Sequence, residues 1–218
     1  MTEQAKNRII KSFIIPLTFP LIMWVVFLGE QFFNLNLDRM GILPRSISGI
    51  PGIITGPVIH ANYAHIVSNT IPLLILGWTI FFFYPKVSYR VFIVIYILTD
   101  LLVWLFARQV YHIGASGIVY GFVSFLFFSG IFRRDNKSVA LALLVTFLYG
   151  GLVWGVLPGQ EGISWESHLF GAIVGLITAF IFRKVDPPKK YDWEDEPDDF
   201  NVDELEVSYD PEKNRFNY

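Results

Sequence analysis

The chain has 218 residues, 53% hydrophobic and 17% aromatic, with a net charge of −2 and a mean hydropathy of +0.48. It is more apolar and less charged than an ordinary soluble domain and reads as an integral membrane protein. With no cysteine, disulfides, thiolate metal sites and cysteine nucleophiles are excluded.

Six stretches approach the length of apolar helix that crosses a bilayer, about 20 residues: roughly 12–29, 64–83, 88–107, 116–132, 138–156 and 167–183. The first follows Lys6, Arg8 and Lys11 and shares the basic start of a signal peptide. Its apolar run outlasts a signal's core and no small-residue cleavage site follows, so a retained helix is expected. Basic residues mark the cytoplasmic side. They precede span one, flank the turn between spans two and three (Lys86, Arg90), sit between four and five (Arg133, Arg134, Lys137) and follow span six (Arg183, Lys184, Lys189, Lys190). The opposite loops hold only Arg39, Arg45 and Arg108. Both termini are therefore expected in the cytoplasm, and spans two, four and six start on the outer side.

Residues 1–183 carry twelve Lys/Arg against seven Asp/Glu, whereas 184–218 carry five against twelve. The second segment is an acidic tail punctuated by Pro187, Pro188, Pro197 and Pro211. It is too poor in aliphatic residues to bury an apolar core, and a disordered cytoplasmic tail is expected there. The predicted fold is all-α: a six-helix membrane domain over 1–183 followed by the tail.

All four histidines, His60, His65, His112 and His168, fall before or at the start of spans two, four or six, and so near one membrane face. Ionisable groups at membrane segments are costly and mark candidate sites; histidines at headgroup level are also ordinary amphipathic residues, so the set counts for more than any member. In "HIGASGIVYG", Gly114 permits a sharp bend and places Ser116 in the first turn of span four. There the unpaired N–H groups and positive dipole end favour an alkoxide or oxyanion. A serine needs a base to act as a nucleophile, and His168 opens span six at similar depth. Gly117 and Gly121 in span four, and Gly171 and Gly175 in span six, each form a G-x-x-x-G pattern that lets two helices approach closely. Tyr120 lies one turn below Ser116 and is a candidate to hold the His168 ring. His65 and Asn69 share a face of span two; with the Ser116 N–H they form a donor cluster, and His60 lies upstream to supplement it.

These elements together resemble the rhomboid intramembrane serine proteases: H-x-x-x-N (His65, Asn69), G-x-S-G (Gly114, Ser116, Gly117) and H-x-x-G-x-x-x-G (His168, Gly171, Gly175), in that order on alternate spans across roughly residues 10–183. The resemblance implies a six-helix fold and a Ser116–His168 dyad without a catalytic acid. It also implies an oxyanion hole involving His65 and Asn69, and cleavage of transmembrane proteins near the outer face. Neither cofactor nor metal nor nucleic acid is implied; the partners are transmembrane substrates and membrane lipid, and the short loops suggest a bacterial inner membrane. The family's Trp-Arg pair after span one is missing: that loop has Arg39 and Arg45 but no tryptophan. Asp100, inside span three, is expected to be structural, with Arg108 as a candidate counter-charge. Glu161 and Glu166 are expected to be solvated loop charges. Competing readings are a catalytically silent relative that binds membrane helices, a histidine-ligated metal or haem protein, which the clustering of the histidines at one end and the absence of H-E-x-x-H disfavour, and a channel or transporter.

Overall fold

A computed structural model describes residues 3–159, 162–186 and 208–217. Glu161 and 187–207 of the acidic tail lie outside them. Seven α-helices follow in order: α1 (Glu3–Phe33), the short α2 (Gly52–Thr55), α3 (Tyr63–Phe83), α4 (Ser88–Phe106), α5 (Ser116–Arg133), α6 (Asn136–Tyr149) and α7 (Trp165–Ile181). Five of the helical segments are long and apolar enough to cross a membrane; α7, with 17 residues, is just shorter. The first helix runs well beyond 12–29 at both ends. The predicted fifth span divides, with α6 giving way at Gly150–Val156 to a 3₁₀ segment.

The buried core centres on α5, which packs against α3, α4, α6 and α7. It is buried along most of its length, from Gly117 to Gly130. Contact between α5 and α7 is set by absent side chains. A methyl at Gly171 would run into the Gly117 carbonyl, and one at Gly175 into the Gly121 carbonyl. Backbones meet here because nothing larger than hydrogen intervenes.

At the end bearing the basic residues, polar side chains close the helix termini. The Arg133 guanidinium donates to the carbonyls of Phe182 (2.7 Å) and Val185, beyond the end of α7, and lies 4.7 Å from the centre of the Tyr84 ring. The Tyr84 hydroxyl donates to Ser138 Oγ at 3.0 Å, while Asp135 caps α6 by accepting from Ser138 N at 2.9 Å. Asp186 accepts from the Lys86 amide at 3.1 Å.

At the other end, the long connection after α1 is tied to its neighbours. Ile42 and His112 exchange both backbone hydrogen bonds at 2.9 Å, and Gly114 N donates to Gly56 O at 2.9 Å. Arg45 takes up the free C-terminal carbonyls of α4, donating to Ala107 O at 2.7 Å and to Leu105 O at 3.4 Å. Trp104, from α4, returns a bond to Ser46 O at 2.9 Å. The loop that lacks its own tryptophan is thus pinned by an arginine from the loop and a tryptophan from the helix.

The C-terminal unit, described only over its last residues, contains two antiparallel strands, β1 (Ser208–Asp210) and β2 (Arg215–Asn217), with Tyr209 opposite Phe216.

Candidate active site

His65, Ser116 and His168 are each placed by the start of a helix. Asn62 caps α3 by accepting from His65 N at 2.9 Å. Ser164 caps α7 by accepting from Ser167 N at 3.4 Å. The residue preceding α5 is Ala115, which offers no side-chain cap. The first N–H groups of α5, those of Ser116 and Gly117, therefore have neither an intrahelical acceptor nor a capping oxygen. Ser116 stands at a helix start left open to an anion.

His168, buried in the first turn of α7, places Nε2 2.8 Å from Ser116 Oγ. Its Nδ1 lies 2.8 Å from the carbonyl oxygen of Gly155. A carbonyl can only accept, so Nδ1 carries the hydrogen and Nε2 presents its lone pair to the Ser116 hydroxyl. Tyr120 stacks on the imidazole, with ring centres 4.1 Å apart and planes 7° from parallel. The sequence offered no signal for Gly155, since its contribution is a backbone oxygen from the 3₁₀ segment. Its lack of a side chain matters as well: a methyl there would collide with the Tyr120 hydroxyl and lie 3.2 Å from His168 Nδ1.

On the other side of Ser116, Gly114 has φ +98° and lies flat against α3. A Cβ at this position would overlap the His65 ring and lie 3.6 Å from Asn69 Nδ2. Asn69 is buried and gives one amide hydrogen to His65 O at 3.1 Å, leaving the second available. The rings of His60 and His65 meet edge to face, centres 4.9 Å apart. His60 is 1% exposed, and its Nε2 has no hydrogen-bond partner among the described residues. Burial, helped by repulsion from His65, lowers its pKa to about 4, so the ring is neutral at physiological pH.

The fourth histidine faces elsewhere. His112 Nε2 is 3.0 Å from Arg108 O, and Nδ1 is 2.6 Å from Ser164 Oγ; Nε2 is thus the donor and Nδ1 accepts the serine hydroxyl. Burial lowers the His112 pKa against the opposing pull of the Arg108 carbonyl and of Glu166. Two expected charge roles change. Glu166 is buried, its side chain only 5% exposed, and accepts from Arg108 Nε at 3.1 Å. Arg108 is therefore the partner of Glu166 and not of Asp100: α4 ends at Phe106, which turns the arginine towards the start of α7. Asp100 is buried, with Oδ2 unpartnered among the described residues. Among the described residues, no group of three or more His, Cys, Asp or Glu side chains is arranged to hold a metal ion.

Apolar helices stacked around α5 define a multi-pass integral membrane protein. The family model for the Rhomboid domain matches residues 49–185, and the chain belongs to the rhomboid family. An uncharacterized protein of Mycobacterium tuberculosis is 37% identical over 174 residues, covering 76% of this chain and 72% of that protein. An uncharacterized protein of Mycobacterium leprae is 36% identical over 174 residues, with 76% and 69% covered. A rhomboid-named protein of Acanthamoeba polyphaga mimivirus is 26% identical over 171 residues, covering 74% of this chain and 86% of that protein.

Proposed function

We propose that the protein is an intramembrane serine endopeptidase that cleaves transmembrane proteins near the outer membrane face. The observation that carries this reading is the 2.8 Å contact between His168 Nε2 and Ser116 Oγ, with Nδ1–H held by Gly155 O. The base is in the tautomer that can take the serine proton, and a backbone carbonyl does the orienting that an aspartate does in soluble triads.

In this mechanism Ser116 Oγ attacks the scissile carbonyl carbon as its proton passes to His168 Nε2. The new oxyanion is met by the uncapped Ser116 and Gly117 amides, the free Asn69 N–H and the His65 ring. Collapse breaks the C–N bond, and His168 returns the proton to the leaving amine. Water, deprotonated by the same imidazole, then hydrolyses the acyl-enzyme and regenerates Ser116. Tyr120 keeps the ring in plane throughout. A substrate helix must unwind to expose its carbonyl, which favours cleavage where the helix meets the interface.

The same reading takes α7 as a sixth crossing, short because it is enclosed by α4 and α5 and ends at the arginine-rich face. It places both termini in the cytoplasm and the protein in a bacterial inner membrane. The test is cleavage of a reporter with a single transmembrane helix in reconstituted vesicles. Wild type is expected to cut it, while Ser116→Ala and His168→Ala, folded to the same extent, are expected to leave it intact. A reporter bound but uncut by wild type would point instead to a silent, helix-binding relative.

A further inference from the structure

Outside the dyad, polar side chains join two segments that share no backbone hydrogen bond among the described residues. The first segment, Ala107–Ala115, delivers Ser116; the second, Ile163–Ser167, delivers His168. Two ties connect them. Arg108 donates from Nε to Glu166 Oε1 at 3.1 Å, from its backbone N–H to the same oxygen at 3.4 Å, and from Nη2 to Ile163 O at 2.7 Å. His112 accepts at Nδ1 from Ser164 Oγ at 2.6 Å, and Ser164 Oγ lies 2.7 Å from Ser167 Oγ. The ties are themselves linked, because His112 Nε2–H donates to Arg108 O at 3.0 Å.

The glycine contact fixes the spacing of the α5 and α7 axes from Gly117 downwards, but it does not tie together the segments that lead into the first turns. Those turns carry Ser116 and His168 and are the part of a helix with the fewest internal hydrogen bonds. A carboxylate in the first turn of α7 is favoured by the helix dipole, but its burial is tolerable only with a cation held against it. That requirement forces Arg108, and with it the loop, to stay against α7.

We infer that Arg108, Glu166 and His112 form a clamp that sets the separation and alignment of Ser116 and His168, with Glu166 and His112 as positioning residues that touch no substrate. The inference rests on the dyad reading above. It predicts that breaking the clamp slows chemistry at residue 116 even in folded protein, because small displacements of reacting groups cost large factors in rate.

The absence of cysteine from the chain permits a test that needs no substrate. Ser116→Cys introduces a unique thiol whose alkylation by iodoacetamide, followed between about pH 5 and 9, reads its activation by a neighbouring imidazole. The measurement is made on the full chain in phosphatidylethanolamine–phosphatidylglycerol vesicles, alone and combined with His168→Ala, with Glu166→Gln, with Arg108→Lys, and with Arg108→Met plus Glu166→Gln. The last pair removes both charges and leaves no ion buried alone. Near neutral pH, Glu166→Gln and the charge-free pair are expected to lower the alkylation rate about tenfold or more, towards the His168→Ala level. Arg108→Lys keeps the charge and is expected to retain most of the rate, and the pair is expected to unfold within a few degrees of its parent. Retention of the parent rate within about twofold in Glu166→Gln and the pair, while His168→Ala loses it, overturns the clamp and leaves the dyad standing. An unchanged rate in His168→Ala as well overturns both.

Discussion

At the end of the bundle that carries Arg133, helix termini are closed by side chains: Arg133 on the carbonyls after α7, Asp135 on α6, Asp186 on the turn after α3. At the end that carries the histidines, the chain is pinned as firmly around the site, by Arg45, Trp104 and the Ile42–His112 pairing. Yet, among the described residues, its centre is left incomplete: α5 starts uncapped at Ser116, Asn69 keeps a free N–H, and His60 Nε2 has no partner. Unmet hydrogen-bonding capacity is costly in a membrane protein. Around Ser116 it sits inside a pinned surround, so the groups that hold the fold differ from the groups proposed to meet a reacting carbonyl.

Arg133→Met strips charge-assisted bonds from the end of α7 and is expected to cost about 2–4 kcal/mol of stability, read by thermal unfolding in detergent, while the folded fraction keeps its activity. Gly155→Ala should do the reverse. A methyl against Tyr120 and His168 displaces the imidazole, lowering turnover of a reporter substrate about 10- to 100-fold with little change in unfolding midpoint.

Acid sharpens the contrast. His60 has a folded pKa of about 4 against about 6.5 unfolded, so the unfolded state binds more protons between those values. Stability is full above about pH 6.5 and falls as pH drops through 4, by about 3 kcal/mol in all. His60→Asn should flatten that slope in unfolding curves recorded across the window. The smallest effect is expected from Tyr120→Phe, which preserves the stacked ring: reporter turnover should stay within about threefold of wild type, whereas Tyr120→Ala should lower it about tenfold or more.

Much of the bundle and the residues gathered at the candidate site were legible in sequence because their signals are local. Apolar runs mark the helices, glycines four apart mark where α5 and α7 meet, and serine and histidine at helix starts mark a common depth. What stayed hidden depends on tertiary approach. Gly155 contributes a carbonyl, which no side-chain pattern announces. Glu166 looked like loop charge because nothing local shows that Arg108, 58 residues away, turns back onto it once α4 stops. The 3₁₀ end of the fifth span was equally invisible, since Gly150–Val156 is as apolar as the helix before it.

The most direct test of this division of labour is labelling by a fluorophosphonate serine probe, comparing wild type, Ser116→Ala, His168→Ala and Arg133→Met at equal folded protein. Labelling is expected in wild type and in the folded fraction of Arg133→Met, and in neither of the other two. Labelling that survives in His168→Ala, or is absent from wild type in both detergent and bilayers, would contradict that division.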